Sequence, residues 1–333
     1  MNTKKSILKL LIRILVVMFA IAAILVFVIP FLIPVSSIDN LLDPSGLADE
    51  DSRFVDIEGI SIHYKQWEGS DGHLILLHGF GASVFSWHRV TEALTEFGTV
   101  TAYDRPAFGL SGRLLPADFQ GVNPYTRAYQ PELLKELMDA LGIQSAVVIG
   151  NSAGGTVAVQ MALEYPQYVD ALILVDPALL TTGGSPAWLN PLLRLPSINR
   201  IGPLIVRTIA NRSLSLLDRA YHDPSMISEE TIEGYTRPFR VRNWDIAFWD
   251  FLKAAEDLDL AERLDELNMP VLVITGDDDR IVPTEDSIRA AGMIPGAELV
   301  VIPACGHVPH EECPEEFMKS VADFLNNTLN ELE

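Results

Sequence analysis

The chain has 333 residues, of which 48% are hydrophobic, and it carries a formal net charge of −21. That length and composition suffice for one large α/β core with an insertion. The first 35 residues hold four basic and no acidic side chains, which leaves 20 basic against 45 acidic side chains, a net charge of −25, on the rest. So acidic a chain is not expected to bind nucleic acid, or to be drawn to anionic lipid by its overall charge.

An apolar run near the N-terminus, Ile14 to Val35, contains no charged residue over 22 positions. It is long enough to cross a hydrocarbon core of about 30 Å as a helix. Basic residues precede it and acidic residues follow it, so the positive-inside rule places the N-terminus in the cytoplasm and the rest of the chain outside. A cleaved signal peptide is the alternative, but this run exceeds the usual ~7–15 residues and no clear cleavage site follows. We therefore expect residues 1–35 to form an uncleaved signal anchor and residues 36–53 a short tether.

Apolar segments alternate with helix-like segments from residue 54 onward. The first two predicted strands are joined through Glu58-Gly59 and read as a hairpin at the sheet edge. Later strands are predicted at Ala171–Val175, Val271–Thr275 and Glu298–Ile302. Since the segments between them have helical spacing, for example Pro131–Leu141, the pattern predicts a mostly parallel sheet with helices on both faces.

The alternation lapses between residues 178 and 268, where helical spacing broken by Gly and Pro predicts an inserted helical cap. The core would then comprise residues 54–177 and 269–333. Residues 177–217 contain no acidic side chain but four arginines, which alternate with apolar clusters: Arg194, Arg200, Arg207 and Arg212. Two interpretations stay open. This half of the cap faces the membrane, so that an apolar acyl substrate enters from the bilayer, or its arginines pair with acids of the core.

The stretch Gly150-Asn151-Ser152-Ala153-Gly154-Gly155 follows an apolar run and opens a helix-like segment, Thr156–Glu164. In a G-x-S-x-G turn the serine occupies a strained position between strand and helix, where side chains at Gly150 or Gly154 would block close backbone approach. The pattern predicts a nucleophile elbow that lifts the Ser152 hydroxyl out of the sheet. A plain glycine-rich turn is the alternative for this stretch taken alone.

A serine nucleophile requires a histidine base and a carboxylate that orients the histidine. Both follow in the chain, because one predicted strand ends in Gly276-Asp-Asp-Asp279 and the next runs into Cys305-Gly306-His307. The acid has four candidates, which are Asp279, its neighbours Asp277 and Asp278, and Asp176 at the end of an earlier strand. Serine, acid and histidine in this order are typical of one large class of hydrolases.

Five motifs in register resemble those of the α/β-hydrolase family, over nearly everything from about residue 54 onward. They are the oxyanion loop His78-Gly79-Phe80-Gly81, the turn Asp104 to Ser111, the elbow Gly150 to Gly154, the acid loop Gly276 to Asp279 and the histidine loop Gly306-His307 with Glu312-Cys-Pro314. One departure is Pro106-Ala107, which stands where the family more often has a glycine. The resemblance implies an α/β-hydrolase fold with an inserted helical cap, and no metal or organic cofactor.

The resemblance also implies the roles of individual residues. Ser152 would be the nucleophile, His307 the general base and then acid, and Asp279 the carboxylate that fixes the imidazole. The backbone N–H groups of Phe80 and Ala153 would bind the oxyanion. Asp176 occupies the position where some relatives place the acid.

Serine at position 152 favours acyl transfer to water, since related epoxide hydrolases and dehalogenases would carry aspartate there. The expected function is a membrane-anchored serine hydrolase acting on an apolar small-molecule ester. One alternative is a carbon–carbon bond hydrolase, because G-N-S-x-G-G resembles the elbow of meta-cleavage-product hydrolases. The other is a non-catalytic binding member of the fold. The membrane is expected to be engaged through the N-terminal helix, and the sequence does not indicate an oligomeric state.

Cys305 and Cys313 flank the histidine loop, and they pair in an oxidising compartment or stay free thiols. With His310 between them they resemble a metal-binding cluster. Gly306 and Pro309 place this cluster on a loop, however, and its spacing matches no zinc pattern, so we expect no metal. Asp104 and Arg105 are expected to be structural, with the carboxylate accepting backbone N–H groups of its own turn. His63 is expected to lie at the surface or in packing.

Overall fold

The computed structural model describes residues 2–119, 121–180, 190–210, 213–254, 256 and 258–332. Arg212, one of the four arginines of the predicted cap, lies outside these residues. The strands are β1 (Arg53–Ile57), β2 (Ile60–Trp67), β3 (His73–Leu77), β4 (Thr99–Tyr103), β5 (Ala146–Asn151), β6 (Val169–Val175), β7 (Val271–Gly276) and β8 (Glu298–Ile302). The described α-helices are α1 (Asn2–Phe27), α2 (Ile29–Leu32), α3 (Thr91–Leu94), α4 (Gln130–Leu141), α5 (Ala153–Glu164), α6 (Asn190–Leu193), α7 (Pro196–Ala210), α8 (Ser213–Ala220), α9 (Glu229–Thr236), α10 (Trp244–Lys253), α11 (Thr284–Met293), α12 (Pro309–Glu312) and α13 (Pro314–Leu332).

The strands form one sheet in the order β1-β2-β4-β3-β5-β6-β7-β8. The strands from β4 to β8 in that order pair in parallel, whereas β2 is antiparallel to both of its neighbours. The predicted hairpin turns at Glu58 and Gly59, which have φ angles of 51° and 82°. These positive angles suit a two-residue turn between twisted strands. The predicted fold class, a mostly parallel sheet flanked by helices, is confirmed.

The sheet is buried on both faces, as expected for parallel strands covered by helices. Along β3, Leu74 and Leu76 join the apolar cluster on one face, while Ile75 and Leu77 join the cluster on the other. Helices α4 and α5 cover the second of these faces, and α13 covers the first. The loops that follow β3, β5, β6, β7 and β8 leave the sheet at the carboxyl ends of the strands, where α/β sheets bind their ligands.

The boundaries of several elements differ from the sequence-based expectation. Helix α5 begins at Ala153 rather than at Thr156, directly after Ser152. Gly154 and Gly155 are part of this helix. Side chains at these two positions would overlap the backbone of β3 or crowd Pro177, which is why the first turn contains glycines. Strand β6 begins two residues earlier than expected, at Val169.

The chain between β6 and β7 forms helices α6 to α10, here called the insert. Helices α6, α7 and α10 pack around a third apolar cluster that includes Val206 of α7 and Phe248 of α10, whereas α8 and α9 contribute to a fourth. Gly202 of α7 lies flat against the ring of Trp249, where any side chain would overlap the indole. Arg207 and Asp245 join the same two helices through an ion pair of 2.8 Å. Of the four arginines in residues 177–217, Arg207 therefore does pair with an acid, although that acid belongs to the insert and not to the core.

The N-terminal residues form α1 and the short α2. The segment Lys9–Leu32 has a mean hydropathy of 3.1 and is long and apolar enough to cross a membrane, as a signal sequence near an N-terminus also is. It begins at Lys9 rather than at Ile14, and it ends at Leu32 rather than at Val35, where the predicted run ends. Apolar side chains of α1 stand exposed, for example Phe19 at 77%. Both helices pack against α7 of the insert.

Residues 36–52, here called the strap, follow the apolar helices and were expected to be a simple tether to residue 53. In the structure Arg53 already belongs to β1, and the strap packs on the insert. The N–H of Leu42 donates to the carbonyl of Arg240, and the N–H of Arg242 donates to that of Leu42. Leu47 is buried against Leu110.

A carboxylate fixes the end of the strap. Asp49 accepts hydrogen bonds from Lys65 of the core at 2.7 Å and from Arg237 of the insert at 2.8 Å. Partial burial alone would raise the pKa of Asp49, but these two hydrogen bonds outweigh it and lower that pKa to about 2. The strap thus connects the apolar helices to the insert and the core by defined contacts.

Candidate active site

Ser152 stands at the turn between β5 and α5. Its backbone has φ 53° and ψ −116°, a strained conformation for a residue with a side chain. A Cβ atom at Gly150 would lie 2.6 Å from the backbone of Gly154, and one at Gly154 would overlap the carbonyl of Leu77. The glycines of the motif are therefore required by close backbone approach, as predicted for a nucleophile elbow.

His307 and Asp279 are brought together from the loops after β8 and β7. The Nδ1 atom of His307 lies 2.6 Å from Oδ2 of Asp279, and both side chains are buried. The other carboxylate oxygen, Oδ1, accepts the N–H groups of Ile281 and Val282 at 2.7 and 3.0 Å. These contacts hold the carboxylate in one orientation, so that it fixes the imidazole.

Asp176, the alternative acid, lies next to Asp279 but is bonded differently. Its Oδ1 accepts the hydroxyl of Thr275 at 2.7 Å and the N–H of Gly276 at 3.1 Å. Complete burial, together with the nearby Asp279 carboxylate, raises the pKa of Asp176 well above its usual range. Burial and the neighbouring carboxylate thus both favour the protonated form of Asp176.

The other two aspartates of the acid loop point elsewhere. Asp278 is partly exposed and contacts His222 and Arg280, which lower its pKa through hydrogen bonds. Asp277 accepts the N–H of Cys305 at 3.5 Å. Of the four candidates in the sequence, the one that meets His307 is Asp279.

Asn151 links the serine turn to the histidine loop. Its side-chain amide donates to the carbonyl of His307 at 3.1 Å and to that of Val175 at 3.3 Å. On the other side of the loop, the N–H of His307 donates to the carbonyl of Ala220 at 2.6 Å, at the end of α8. The backbone of His307 is thus held by the elbow and by the insert at once.

The loop after β3 lies against Ser152. A Cβ atom on Gly79 would come within 2.9 Å of the Asn151 amide oxygen and 3.4 Å of the Ser152 Cβ. The carbonyl of Gly79 accepts hydrogen bonds from His78 Nδ1 at 2.8 Å and from Arg105 Nη2 at 3.2 Å. Because C=O and N–H point in opposite directions across a trans peptide, the N–H of Phe80 points away from these donors.

The protonation state of His78 follows from its surroundings. Burial first, and then the nearby Arg105 charge, lower the pKa of His78 to about 3, so the imidazole is neutral. The N–H of Arg105 donates to Nε2 at 3.0 Å, which assigns the proton to Nδ1. The sequence predicts a structural role for Arg105, and in the structure its side chain lies behind the Gly79–Phe80 peptide.

The second predicted oxyanion donor is at the start of α5. Ala153 is the first residue of that helix, and the first N–H groups of a helix have no partner within it. Its N–H is therefore available beside Ser152. The helix dipole adds partial positive charge at this end.

A pocket opens over these residues, with Ser152, His307, Asn151 and Tyr235 as its main polar lining. Most of its wall is apolar and comes from the insert: Val206, Ala210, Leu216, Leu217, Trp244 and Phe248. Among the described residues that line it, none is a lysine or an arginine. An apolar group such as an acyl chain would fit this wall, whereas a carboxylate would meet no cation among the described lining residues.

The cysteines on either side of the histidine loop are joined as a Cys305–Cys313 disulfide, one of the two states that the sequence left open. Glu312 lies beside them, and its carboxylate accepts the N–H groups of Gly306, His222 and Asp223 at 2.7 to 2.9 Å. The thiols and the carboxylate that could hold a metal here are thus already engaged in bonds within the protein.

Asp104 accepts the N–H groups of Val84 and Leu110, as expected for a carboxylate at a glycine-rich turn. It also contacts His63, whose Nδ1 lies 2.6 Å away, while His63 Nε2 lies 2.9 Å from the hydroxyl of Ser52. The sequence carried no signal for this buried contact, since 41 positions separate His63 and Asp104.

Ala107 belongs to the same turn and has a φ angle of 74°. Alanine thus adopts the left-handed conformation at the position where the family pattern more often has glycine.

Residues 74–319 match a family model described as "Alpha/beta hydrolase family". A 2-hydroxy-6-oxononadienedioate/2-hydroxy-6-oxononatrienedioate hydrolase from a Pseudomonas species is 32% identical over 289 residues, which cover 82% of this chain and 96% of that protein. A thermophilic esterase from Thermogutta terrifontis is 25% identical, with a TM-score of 0.67, and the match covers 83% of this chain and 99% of the esterase.

A further solved structure, a membrane phospholipase A described as a novel bacterial virulence factor, matches more of the chain. It is 26% identical with a TM-score of 0.66, and the match covers 97% of this chain and 99% of the phospholipase. The part of this chain that the match leaves uncovered is shorter than the 26 residues of α1, so the match includes at least part of that N-terminal helix.

Proposed function

Since the chain belongs to the alpha/beta hydrolase family, we propose that it is a membrane-anchored serine hydrolase that cleaves carboxylic esters. Hydrolase activity is supported by the relatives, which include carbon–carbon bond hydrolases and esterases. The observation that carries the proposal is the contact between His307 and Asp279 beside the strained Ser152 turn, under an apolar pocket.

In the proposed mechanism, Asp279 holds Nδ1 of His307, so that Nε2 accepts the proton of the Ser152 hydroxyl as its oxygen attacks the ester carbonyl. The N–H groups of Phe80 and Ala153 stabilise the oxyanion, each contributing on the order of 3 kcal/mol to the transition state. The imidazolium then gives its proton to the departing alcohol, which leaves an acyl group on Ser152. A water molecule, deprotonated by His307, then attacks the acyl carbonyl, and the imidazolium returns its proton to Ser152 Oγ as the acid is released.

Carbon–carbon bond hydrolysis is the second candidate, and two observations favour it. The Pseudomonas relative acts on such substrates, and the G-N-S-x-G-G elbow resembles that of meta-cleavage-product hydrolases. The name of that substrate specifies two carboxylates, however, and the described lining of the pocket offers no cation to meet them. Burying an unpaired carboxylate is costly, so we rank ester hydrolysis first.

The membrane anchor rests on the apolar segment Lys9–Leu32 and its exposed side chains. The similarity to a membrane phospholipase A, which extends into this helix, supports the same assignment. The charges that flank the apolar run favour a cytoplasmic N-terminus and an extracytoplasmic catalytic domain.

The test uses the full-length protein in detergent with p-nitrophenyl esters from acetyl to palmitoyl, together with a 2-hydroxy-6-oxo-dienoate. We expect ester turnover, with a loss of about ten-thousandfold or more in Ser152→Ala. Turnover of the dienoate alone would contradict the ester proposal in favour of the second candidate. Ester turnover that survives in Ser152→Ala would contradict the assignment of the nucleophile.

A further inference from the structure

The surface of the insert formed by α6 and α7 differs in charge from the rest of the molecule. Residues 190–210 contain three arginines and no acidic residue, in a chain whose residues after 35 carry 45 acidic side chains. Arg207 is paired with Asp245. Arg194 and Arg200 are exposed, and within the described part of the chain neither forms an ion pair with a carboxylate. This surface thus carries two exposed guanidinium groups whose contacts, at 3.5 Å, are with the backbone carbonyls of Lys253 and Ile33.

Large apolar side chains are exposed on the same surface. Leu192 of α6 is 46% exposed and Ile205 of α7 is 41% exposed. Arginines interleaved with exposed aliphatic residues on a helix are typical of a surface that lies in a membrane interface. We call residues 190–210 the interfacial surface.

The position of α7 relates this surface to the bilayer. The apolar segment ends at Leu32, and α7 packs against both α1 and α2. Just past that end, Arg207 Nη1 donates to the carbonyl of Ser36 at 2.8 Å, and Arg200 Nη2 lies 3.5 Å from the carbonyl of Ile33. A helix bonded to the residues at which the chain leaves the membrane lies at the membrane surface.

Helix α7 also forms part of the wall of the catalytic pocket. Val206 and Ala210 line the pocket, while their neighbour Ile205 is exposed. On α8, Leu216 both lines the pocket and is 42% exposed, so the pocket reaches the surface there. An acyl chain that leaves the bilayer beside α7 would therefore meet apolar lining all the way to Ser152.

We propose that the interfacial surface docks on the bilayer that α1 crosses, and that the substrate is a bilayer-resident acyl ester that enters the pocket beside Leu216. This inference rests on the proposed ester hydrolysis at Ser152 and adds the source and class of the ester. The strap supports it, because its contacts with Arg237, Arg240 and Arg242 hold the insert in a fixed relation to the end of the membrane helix. The partner is anionic lipid, which complements Arg194 and Arg200.

The first experiment measures position and does not depend on catalysis. The two cysteines form a disulfide, so a nitroxide can be attached to one introduced cysteine in the full-length protein reconstituted in vesicles of phosphatidylcholine and phosphatidylglycerol. Ile205→Cys is compared with Ile288→Cys on α11, which packs on β7, because both isoleucines are 41% exposed. We expect the label at 205 to be accessible to oxygen in the bilayer and shielded from a water-soluble relaxing agent, and the label at 288 to be the reverse. Equal accessibility at the two positions would overturn the docking.

The second experiment measures entry of the substrate. In the same vesicles, Ile205→Glu should lower the turnover of vesicle-embedded p-nitrophenyl palmitate several-fold relative to Ile288→Glu, with water-soluble p-nitrophenyl butyrate turned over equally by both. Equal palmitate turnover by the two variants would overturn entry from the bilayer while leaving ester hydrolysis standing. If Ser152→Ala kept both activities, the proposed function would be refuted instead.

A third comparison tests the partner. Arg194→Glu should reduce palmitate turnover in the vesicles that contain phosphatidylglycerol and leave it unchanged in vesicles of phosphatidylcholine alone, because only the former carry negative charge. The same reduction in both kinds of vesicle would overturn the assignment of anionic lipid.

Discussion

At the scale of single residues, the two carboxylates near His307 lie in different environments. Asp279 accepts two backbone N–H groups and meets the imidazole, as a charged carboxylate does. Asp176 is fully buried, and burial together with the nearby Asp279 carboxylate raises its pKa. We therefore expect the negative charge of this pair on Asp279, where it would stabilise the imidazolium.

This division predicts different effects for two isosteric substitutions. Asp279→Asn should lower kcat by about ten-thousandfold, because an amide no longer stabilises the imidazolium or selects its tautomer. Asp176→Asn should cost less than about tenfold, since its oxygen still accepts from Thr275 and Gly276 while its N–H group donates to Asp279. The measurement is ester turnover by both variants. Losses of similar size would contradict the assignment of the charge to Asp279.

At the scale of elements, the histidine loop and the insert are held together by a buried carboxylate. Glu311 of α12 accepts the hydroxyl of Tyr235 at 2.5 Å and that of Tyr221 at 3.0 Å. Both tyrosines belong to the insert, and Tyr235 lines the catalytic pocket. Arg89 donates to the backbone carbonyl of Glu311, and His310 lies 3.9 Å from its carboxylate. The wall of the pocket is therefore positioned by the same short helix that follows His307.

The pKa of Glu311 gives this contact a pH dependence. Burial, only partly offset by the two tyrosine hydroxyls, raises its pKa from 4.5 to about 7. Between those values the folded chain keeps a proton that the unfolded chain has released, so stability from this group is lost as the pH rises from 4.5 to 7. Glu311→Gln does not titrate. We therefore expect the difference in melting temperature, variant minus native protein, to increase from about pH 5 to about pH 8, because only the native protein loses stability over this range. A constant difference across this range would contradict the raised pKa.

At the scale of the whole molecule, the strap determines how the α/β core and the insert are oriented relative to the apolar N-terminal helices. Leu42 exchanges backbone hydrogen bonds with residues 240 and 242, and Leu47 is buried. Asp43 and Asp49 bond to Arg242 and Arg237 of the insert. These contacts fix the orientation of the pocket relative to the apolar helices, which a flexible linker would not do.

We therefore predict that the strap resists proteolysis in the folded protein. An endoproteinase that cleaves at aspartate should cut the strap slowly, although Asp39, Asp43, Asp49 and Asp51 provide cleavage sites. The double variant Arg237→Ala/Arg242→Ala should be cleaved several-fold faster, because cleavage follows local opening. Arg263→Ala/Arg289→Ala, which removes two exposed ion pairs elsewhere, is the matched control. Equal rates for the two double variants would show that these arginines do not hold the strap.

Sequence alone determined the features that depend on local spacing. Glycines around Ser152, the apolar runs of β6 to β8 and the order of serine, acid and histidine follow from short-range patterns, because a strand, a turn and a helix start each have their own residue requirements. The apolar segment near the N-terminus is equally local. These patterns sufficed for the fold class, for the candidates Ser152 and His307, and for a short set of candidate acids that includes Asp279.

Contacts between residues far apart in sequence were decided only by the tertiary structure. The choice of Asp279 over Asp176, the Cys305–Cys313 disulfide, the partners of Glu311 and the packing of the strap join segments that no local pattern relates. The raised pKa of Asp176 likewise depends on burial, which the fold creates and the sequence does not display. Local propensity selects the elements, whereas long-range packing sets the distances, charges and protonation states on which the chemistry depends.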